Sequence, residues 1–273
     1  MSAAALPASK PLFEADRYHP TFVRVLRSEW VKLRSLRSTW WVLGSTVAVM
    51  ALLSWGASAQ LHSDVRHGRA QFTGVDAITS GISIAQLVVA VLGVLVATNE
   101  YSSGMVRATF SAVPTRTPVL AAKALVVFVS AIVAGAVGLV LAYVIARAVL
   151  SGDGVMPDLG EWTTWRALGG SILFLGLVAL LSLGVGLLLR VTAGSIAVVL
   201  GILFVLPIVG AIFQGNDVVR DIAKYLPGNA GQAYASTTES DTLLSPTAGL
   251  VVSLLWAFVP LAVGIILTKR RDA

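Results

Sequence analysis

Six stretches of the chain stay apolar for roughly the 20 residues a helix needs to cross a bilayer core. They are Thr39–Gln60, Ile78–Thr98, Ala124–Ala146, Ala167–Leu189, Ser195–Phe213 and Thr247–Thr268, and none has an Asp, Glu, Lys, Arg or His in its interior. This pattern predicts an all-α integral membrane fold with six transmembrane helices in residues 39–273. Only Arg190-Val191-Thr192-Ala193-Gly194 separates the fourth stretch from the fifth, which predicts a tight turn marked by Arg190 and Gly194. Pro207 and Pro260 predict kinks in the fifth and sixth spans, tolerated where neighbours re-satisfy the freed carbonyls. Ala131 with Gly135, and Ala134 with Gly138, form small-xxx-small pairs in the third span. Such pairs let helices approach closely, within one bundle or across a dimer seam.

Three segments outside the spans have patterns of their own. Residues 1–19 contain Pro7 and Pro11, lie just before Pro20, and read as a disordered tail. In residues 20–38, Phe22, Leu26, Trp30, Leu33 and Leu36 recur at helical spacing, while Arg24, Arg27, Lys32 and Arg34 mostly fall off that stripe. The period favours an amphipathic interfacial helix over a plain basic flank. Residues 99–123 read NEYSSGMVRATFSAVPTRTPVLAAK, too long for a simple turn. Ser102 or Ser103 caps a short helix over Met105–Ala112, and Pro114 stops it. Its apolar knob of Met105, Val106, Thr109 and Phe110 fits a docking peg for a partner, with an ordinary loop as the alternative. In residues 214–246, Val218, Val219, Ile222 and Leu226 predict a short amphipathic helix ending at Pro227-Gly228, interfacial or re-entrant because the run is too short to span.

Charge sets the orientation. The N-terminal segment, the second and fourth connections and the C-terminal tail hold fourteen Lys and Arg, against six on the other face. The positive-inside rule therefore puts both termini in the cytoplasm. Most acids, from Asp64 and Asp76 to Glu239 and Asp241, fall on the opposite side. The net charge of +6 thus explains topology, and no nucleic-acid partner is needed. A mean hydropathy of +0.82 exceeds what a single soluble core can hide. The first apolar run begins near Thr39, behind a basic stretch, unlike a cleavable signal. Trp40, Trp41, Trp162 and Trp165 fall at predicted interfaces.

The same residues exclude several chemistries. The chain has no Cys, so thiolate metal sites and a Cys nucleophile are absent. His19, His62 and His67 all fall outside the spans and H-E-x-x-H is absent, so neither an intramembrane hydrolase nor a metal site is predicted. His62, Asp64 and His67 read as a solvated loop. No G-x-x-x-x-G-K-[ST] cradle for phosphates exists; Leu150-Ser151-Gly152-Asp153-Gly154 is faintly similar to a nucleotide-binding signature loop, but its place on the outer side makes that a coincidence. No catalytic residue and no cofactor is therefore expected.

An Arg-rich amphipathic helix running into Leu36-Arg37-Ser38-Thr39-Trp40-Trp41 precedes the first span. Asn99-Glu100-Tyr101-x-x-Gly104 and Pro114-Thr115-Arg116, followed by Lys123, come after the second. Tyr225-Leu226-Pro227-Gly228-Asn229-Ala230 precedes the last. In this order on six spans, the motifs resemble the permease subunits of bacterial type-2 ABC exporters, over roughly residues 20 to 271. The resemblance implies a transmembrane permease in the bacterial cell membrane, paired with a separate ATP-binding subunit and a second permease chain. It makes the connection after the second span a cytoplasmic coupling helix that contacts the ATPase through Glu100, Tyr101, Gly104, Met105, Arg107, Phe110, Pro114, Arg116 and Lys123. It adds Glu29, Trp30 and Lys32 of the amphipathic helix. The family often has Thr after the glycine, where this chain has Met105. Without the resemblance, a self-sufficient secondary transporter or a membrane scaffold stays open. A secondary transporter usually places ionisable groups inside the membrane, and the predicted span interiors have none.

Overall fold

The computed structural model describes residues 21–70, 72–102, 117–213, 215–237 and 243–271. In chain order its helices are α1 (Phe22–Ser35), α2 (Arg37–Arg66), α3 (Gly74–Thr79), α4 (Ile82–Ser102), α5 (Thr117–Leu150), α6 (Trp162–Leu189) and α7 (Thr192–Leu200). A π-helical turn (Gly201–Val205), α8 (Leu206–Ile212), α9 (Asp217–Ala223), α10 (Pro227–Ala235) and α11 (Pro246–Arg271) follow. Among the described residues, six stretches are long and apolar enough to cross a membrane: Arg37–Arg66, Gly74–Tyr101, Thr117–Leu150, Trp162–Leu189, Thr192–Ile212 and Pro246–Thr268. The protein is an all-α integral membrane protein. The predicted tail and the centre of the predicted coupling helix, including Gly104, Met105, Arg107, Phe110, Pro114 and Arg116, lie outside the described residues.

Several helices run past their apolar stretch, because hydropathy marks the membrane-length core whereas a helix continues until something breaks it. α2 extends beyond Gln60 to Arg66 and stops before Gly68, which adopts φ +66°. His62 and Asp64 are therefore helical rather than part of a loop. His62 Nδ1 lies 2.6 Å from Asp153 Oδ2, tying the end of α2 to the loop after α5. α5 includes Lys123, so that lysine is held by regular helix.

α6 is the central post. It is buried almost continuously from Phe174 to Leu187 and packs against α4, α5 and α11. Glycine makes the closest approach possible: a Cβ on Gly184 would stand 2.5 Å from the backbone nitrogen of Leu261 in α11. Pro260 precedes that contact within α11. The small residues of α5 serve the bundle itself. A Cβ on Gly138 would meet Met50 Sδ of α2 at 2.6 Å, and one on Gly135 would meet Leu175 Cδ1 of α6 at 3.0 Å.

The fifth span departs from a regular α-helix just before Pro207. The Leu206 N–H donates to the Gly201 carbonyl, closing a π turn. A proline removes one i→i−4 bond and crowds the carbonyl four residues back, and a wider turn absorbs that misfit. The turn between the fourth and fifth spans is shorter than Arg190–Gly194. Arg190 alone takes the left-handed conformation, φ +59°, and Gly194 lies inside α7.

The segment after the fifth span forms two helices instead of one. Asn216 caps α9 by accepting from the N–H groups of Val218 and Val219. Pro227 then opens α10 rather than ending its predecessor, as suits a residue whose φ is pre-set for the first helical turn. α10 buries Ala230, Gly231, Ala233 and Tyr234 against α6 and α11.

Candidate functional site

α1 explains how the site is built. Its face toward the protein is Val25, Glu29 and Leu33, spaced by four. Val25 packs with Val119 and Ala122 of α5. Phe22 and Trp30, placed by periodicity on the apolar stripe, are each 45% exposed. The apolar stripe and the buried face share Leu33, and Leu26 packs against the same core; periodicity does not place Glu29, because a carboxylate carries no apolar signal.

Glu29 is buried because it is paired. Its Oε1 lies 2.7 Å from Lys32 Nζ and its Oε2 lies 2.9 Å from Lys123 Nζ. Both lysines also reach Glu100 Oε1, each at 2.9 Å. The four side chains close a ring of alternating sign: Glu29, Lys32, Glu100, Lys123. Lys123 and Glu29 are the deepest members, 5% and 3% exposed; Glu100 is 12% and Lys32 31% exposed. Burial by itself would lower the pKa of Lys32, but hydrogen bonds and the charges of Glu29 and Glu100 outweigh it and hold the amine above the ordinary lysine value.

The ring joins three elements. Glu29 and Lys32 come from α1, Glu100 from the last turn of α4, and Lys123 from the second turn of α5. Glu100 and Lys123 flank the connection between the second and third spans, so its two ends are fastened to each other and to α1. A cavity of about 460 Å³ opens beside the ring, walled by Leu33, Leu36, Val96 and Val126.

Tyr101, next to Glu100, faces elsewhere. The Arg190 guanidinium stacks 4.8 Å from its ring centre, and its hydroxyl lies 3.5 Å from Thr268 Oγ1 of α11. The second, fourth and sixth spans thus meet at this tyrosine. Thr192 Oγ1 donates to Thr98 Oγ1 at 2.8 Å, which brings in the fifth.

Of the site residues expected from sequence, Glu29, Lys32, Glu100 and Lys123 come together. Tyr101 sits beside them, and Trp30 is on the outward surface of α1. Nothing in the sequence indicated that the four charges bind one another, since their separations match no local motif, apart from the i,i+3 pair Glu29–Lys32. Arg190 was visible only as a turn residue.

Residues 25–213, more than half of the chain, match a family described as ABC-2 family transporter protein. The whole ring lies within the matched stretch. No curated protein matches the chain.

Proposed function

The chain belongs to the ABC-2 transporter family, and on that premise we propose that it is the permease half of an ATP-driven exporter. The family implies an ABC ATPase partner, and the chain itself carries no phosphate cradle. In this reading the protein sits in a bacterial cell membrane with both termini cytoplasmic. It pairs with a second permease chain, and the cargo pathway opens between the two.

The observation that carries the reading is the ion ring. Coupling needs a two-state element in the motor and a rigid body in the permease that follows it. The ring makes α1 and the facing ends of α4 and α5 such a body. The segment between Glu100 and Lys123 is the contact for the ATPase, through Gly104, Met105, Arg107, Phe110, Pro114 and Arg116. Tyr101 sits at its root, and exposed Trp30 adds a contact from α1. ATP binding closes two ATPase chains, the segment moves with them, and the ring passes that motion to the spans.

A mild-detergent pull-down of the tagged chain from its native membrane tests this. A P-loop ATPase is expected in roughly equal amount, and Trp30→Ala with Arg116→Ala should reduce its recovery while leaving the thermal midpoint of the permease unchanged. Recovery of the chain alone, across several detergents, would overturn the proposal.

A further inference from the structure

At the end of the bundle away from the ring lies a second cavity of about 510 Å³, lined by α3, the start of α4, α6, the fifth span and α10. Gln86 in its wall stands about 21 Å along the helix from Glu100. The polar lining contributed by α3 and α4 has a consistent chemical sense. Thr79 Oγ1 donates to the Val75 carbonyl, Ser80 Oγ to Ala77 and Ser83 Oγ to Ser80, each at 2.9 Å. A hydroxyl that has given its one proton to a carbonyl offers only lone pairs to anything else.

Gln86 continues the row. Its Nε2 donates to the Ser83 carbonyl at 3.0 Å. A carbonyl only accepts, so this bond fixes which way the amide is turned. Its Oε1 is left buried with no hydrogen-bond partner among the described residues, on a side chain nine-tenths buried. Asp76 adds a carboxylate to the same lining, while the described lining residues include no Lys or Arg. Arg166 lies behind this lining, where its guanidinium donates to the carbonyl of Ser236, itself a lining residue, at 2.9 Å.

On the α3 and α4 side, a row of acceptors with one negative charge favours a ligand rich in donors, while Ser171, Asn229 and Gln232 on the facing elements can both donate and accept. We propose that this cavity binds an amine-bearing cation, whose ammonium hydrogens are taken up by Asp76, Gln86 and the hydroxyl oxygens of α3 and α4. Phe174, Leu203 and Pro207 supply the apolar part of the lining against which the carbon skeleton rests. An anionic ligand would meet the Asp76 carboxylate and the buried Gln86 Oε1 as repulsion. Resting on the transport reading, the site recognises cargo and assigns it to the class of organic amines.

The test is calorimetric titration of the purified full chain, in a neutral detergent and without ATPase, with spermidine and with triethylene glycol as an uncharged counterpart. Saturable binding of spermidine alone is expected. Gln86→Met should weaken it about tenfold or more, the loss of one bond to a charged group, while leaving the thermal midpoint equal or higher because it removes an unpartnered acceptor. Asp76→Asn should weaken it further, but this residue also caps α3, so Gln86→Met is the decisive variant. No saturable binding, equal binding of the glycol, or undiminished affinity in Gln86→Met would overturn the site. Spermidine binding by a chain that recovers no ATPase would uphold the site and remove the transport reading. ATPase recovery without spermidine binding would do the reverse.

Discussion

Lys123 Nζ and Glu29 Oε2 stand 2.9 Å apart, with almost nothing of either side chain exposed. They bring together α5 and a helix that precedes the first span. A buried ion pair adds little over a well-packed apolar pair, yet removing one partner strands the other and costs about 3–5 kcal/mol. The ring therefore specifies position more than it adds stability.

Lys123→Met should destabilise the purified protein by about 3–5 kcal/mol in denaturant titration. Glu29→Gln combined with it should cost less than the two separate losses added together, by about 0.5–3 kcal/mol, as expected for contacting residues. Strict additivity would mean that the two side chains do not share a site.

The ring gives a signed pH response through Lys32. Its folded pKa is raised, so its contribution to stability is complete below about pH 10.4, the unfolded lysine value. That contribution disappears as pH rises through the higher folded value. Denaturation midpoints should hold to about pH 10 and then fall, and Lys32→Met should lack that part of the fall. Identical alkaline curves for the two proteins would contradict the pairing.

Arg190 combines backbone strain with a ring contact. A non-glycine residue in the left-handed region costs about 1–3 kcal/mol, and a cation on an aromatic face returns about 0.5–2 kcal/mol. Tyr101→Leu should lower the thermal midpoint in the native background. In Arg190→Gly, where the strain and the cation are both gone, the same change should matter less. An equal drop in both backgrounds would dissociate the two residues.

Close approach at Gly184 makes the fourth and sixth spans sensitive to one carbon. Gly184→Ala should cost about 1–3 kcal/mol by overpacking, since the new Cβ would meet the backbone at Leu261. Gly56→Ala in α2 has nothing within 4 Å and serves as the matched control, with equal or greater stability expected. Comparable stabilities for the two variants would show that the approach of Gly184 to Leu261 does not limit the packing of these spans.

Span number and placement were legible because membrane-length apolar runs are a strong signal with few imitators. Helix ends were not, because His62, Asp64 and Lys123 are polar residues that a helix accommodates once it leaves the apolar core. The place of Glu29 on the buried face of α1 is not legible either: sequence shows a charge, and only the fold shows its partner. Pro227 was read as a stop when it opens α10, since proline suits both positions. The charges of the ring were identified through family resemblance, but their mutual pairing was not, because Glu29 and Lys123 have no local spacing to betray it. Gln86 escaped notice because it is uncharged, and its missing partner is a property of the folded wall alone.

A closed ring with two positive and two negative corners has no net charge and no strong dipole, so its field dies away within a short distance. Lys32 and Lys123 therefore add little to the attraction between this end of the protein and anionic lipid headgroups. On the expected interfacial placement of α1, that attraction falls instead to Arg24, Arg27, Arg34 and Arg37, which are all exposed. The cations of this region thus differ in kind: the lysines fasten helices together at short range, and the arginines are left to act at long range, where added salt screens them first.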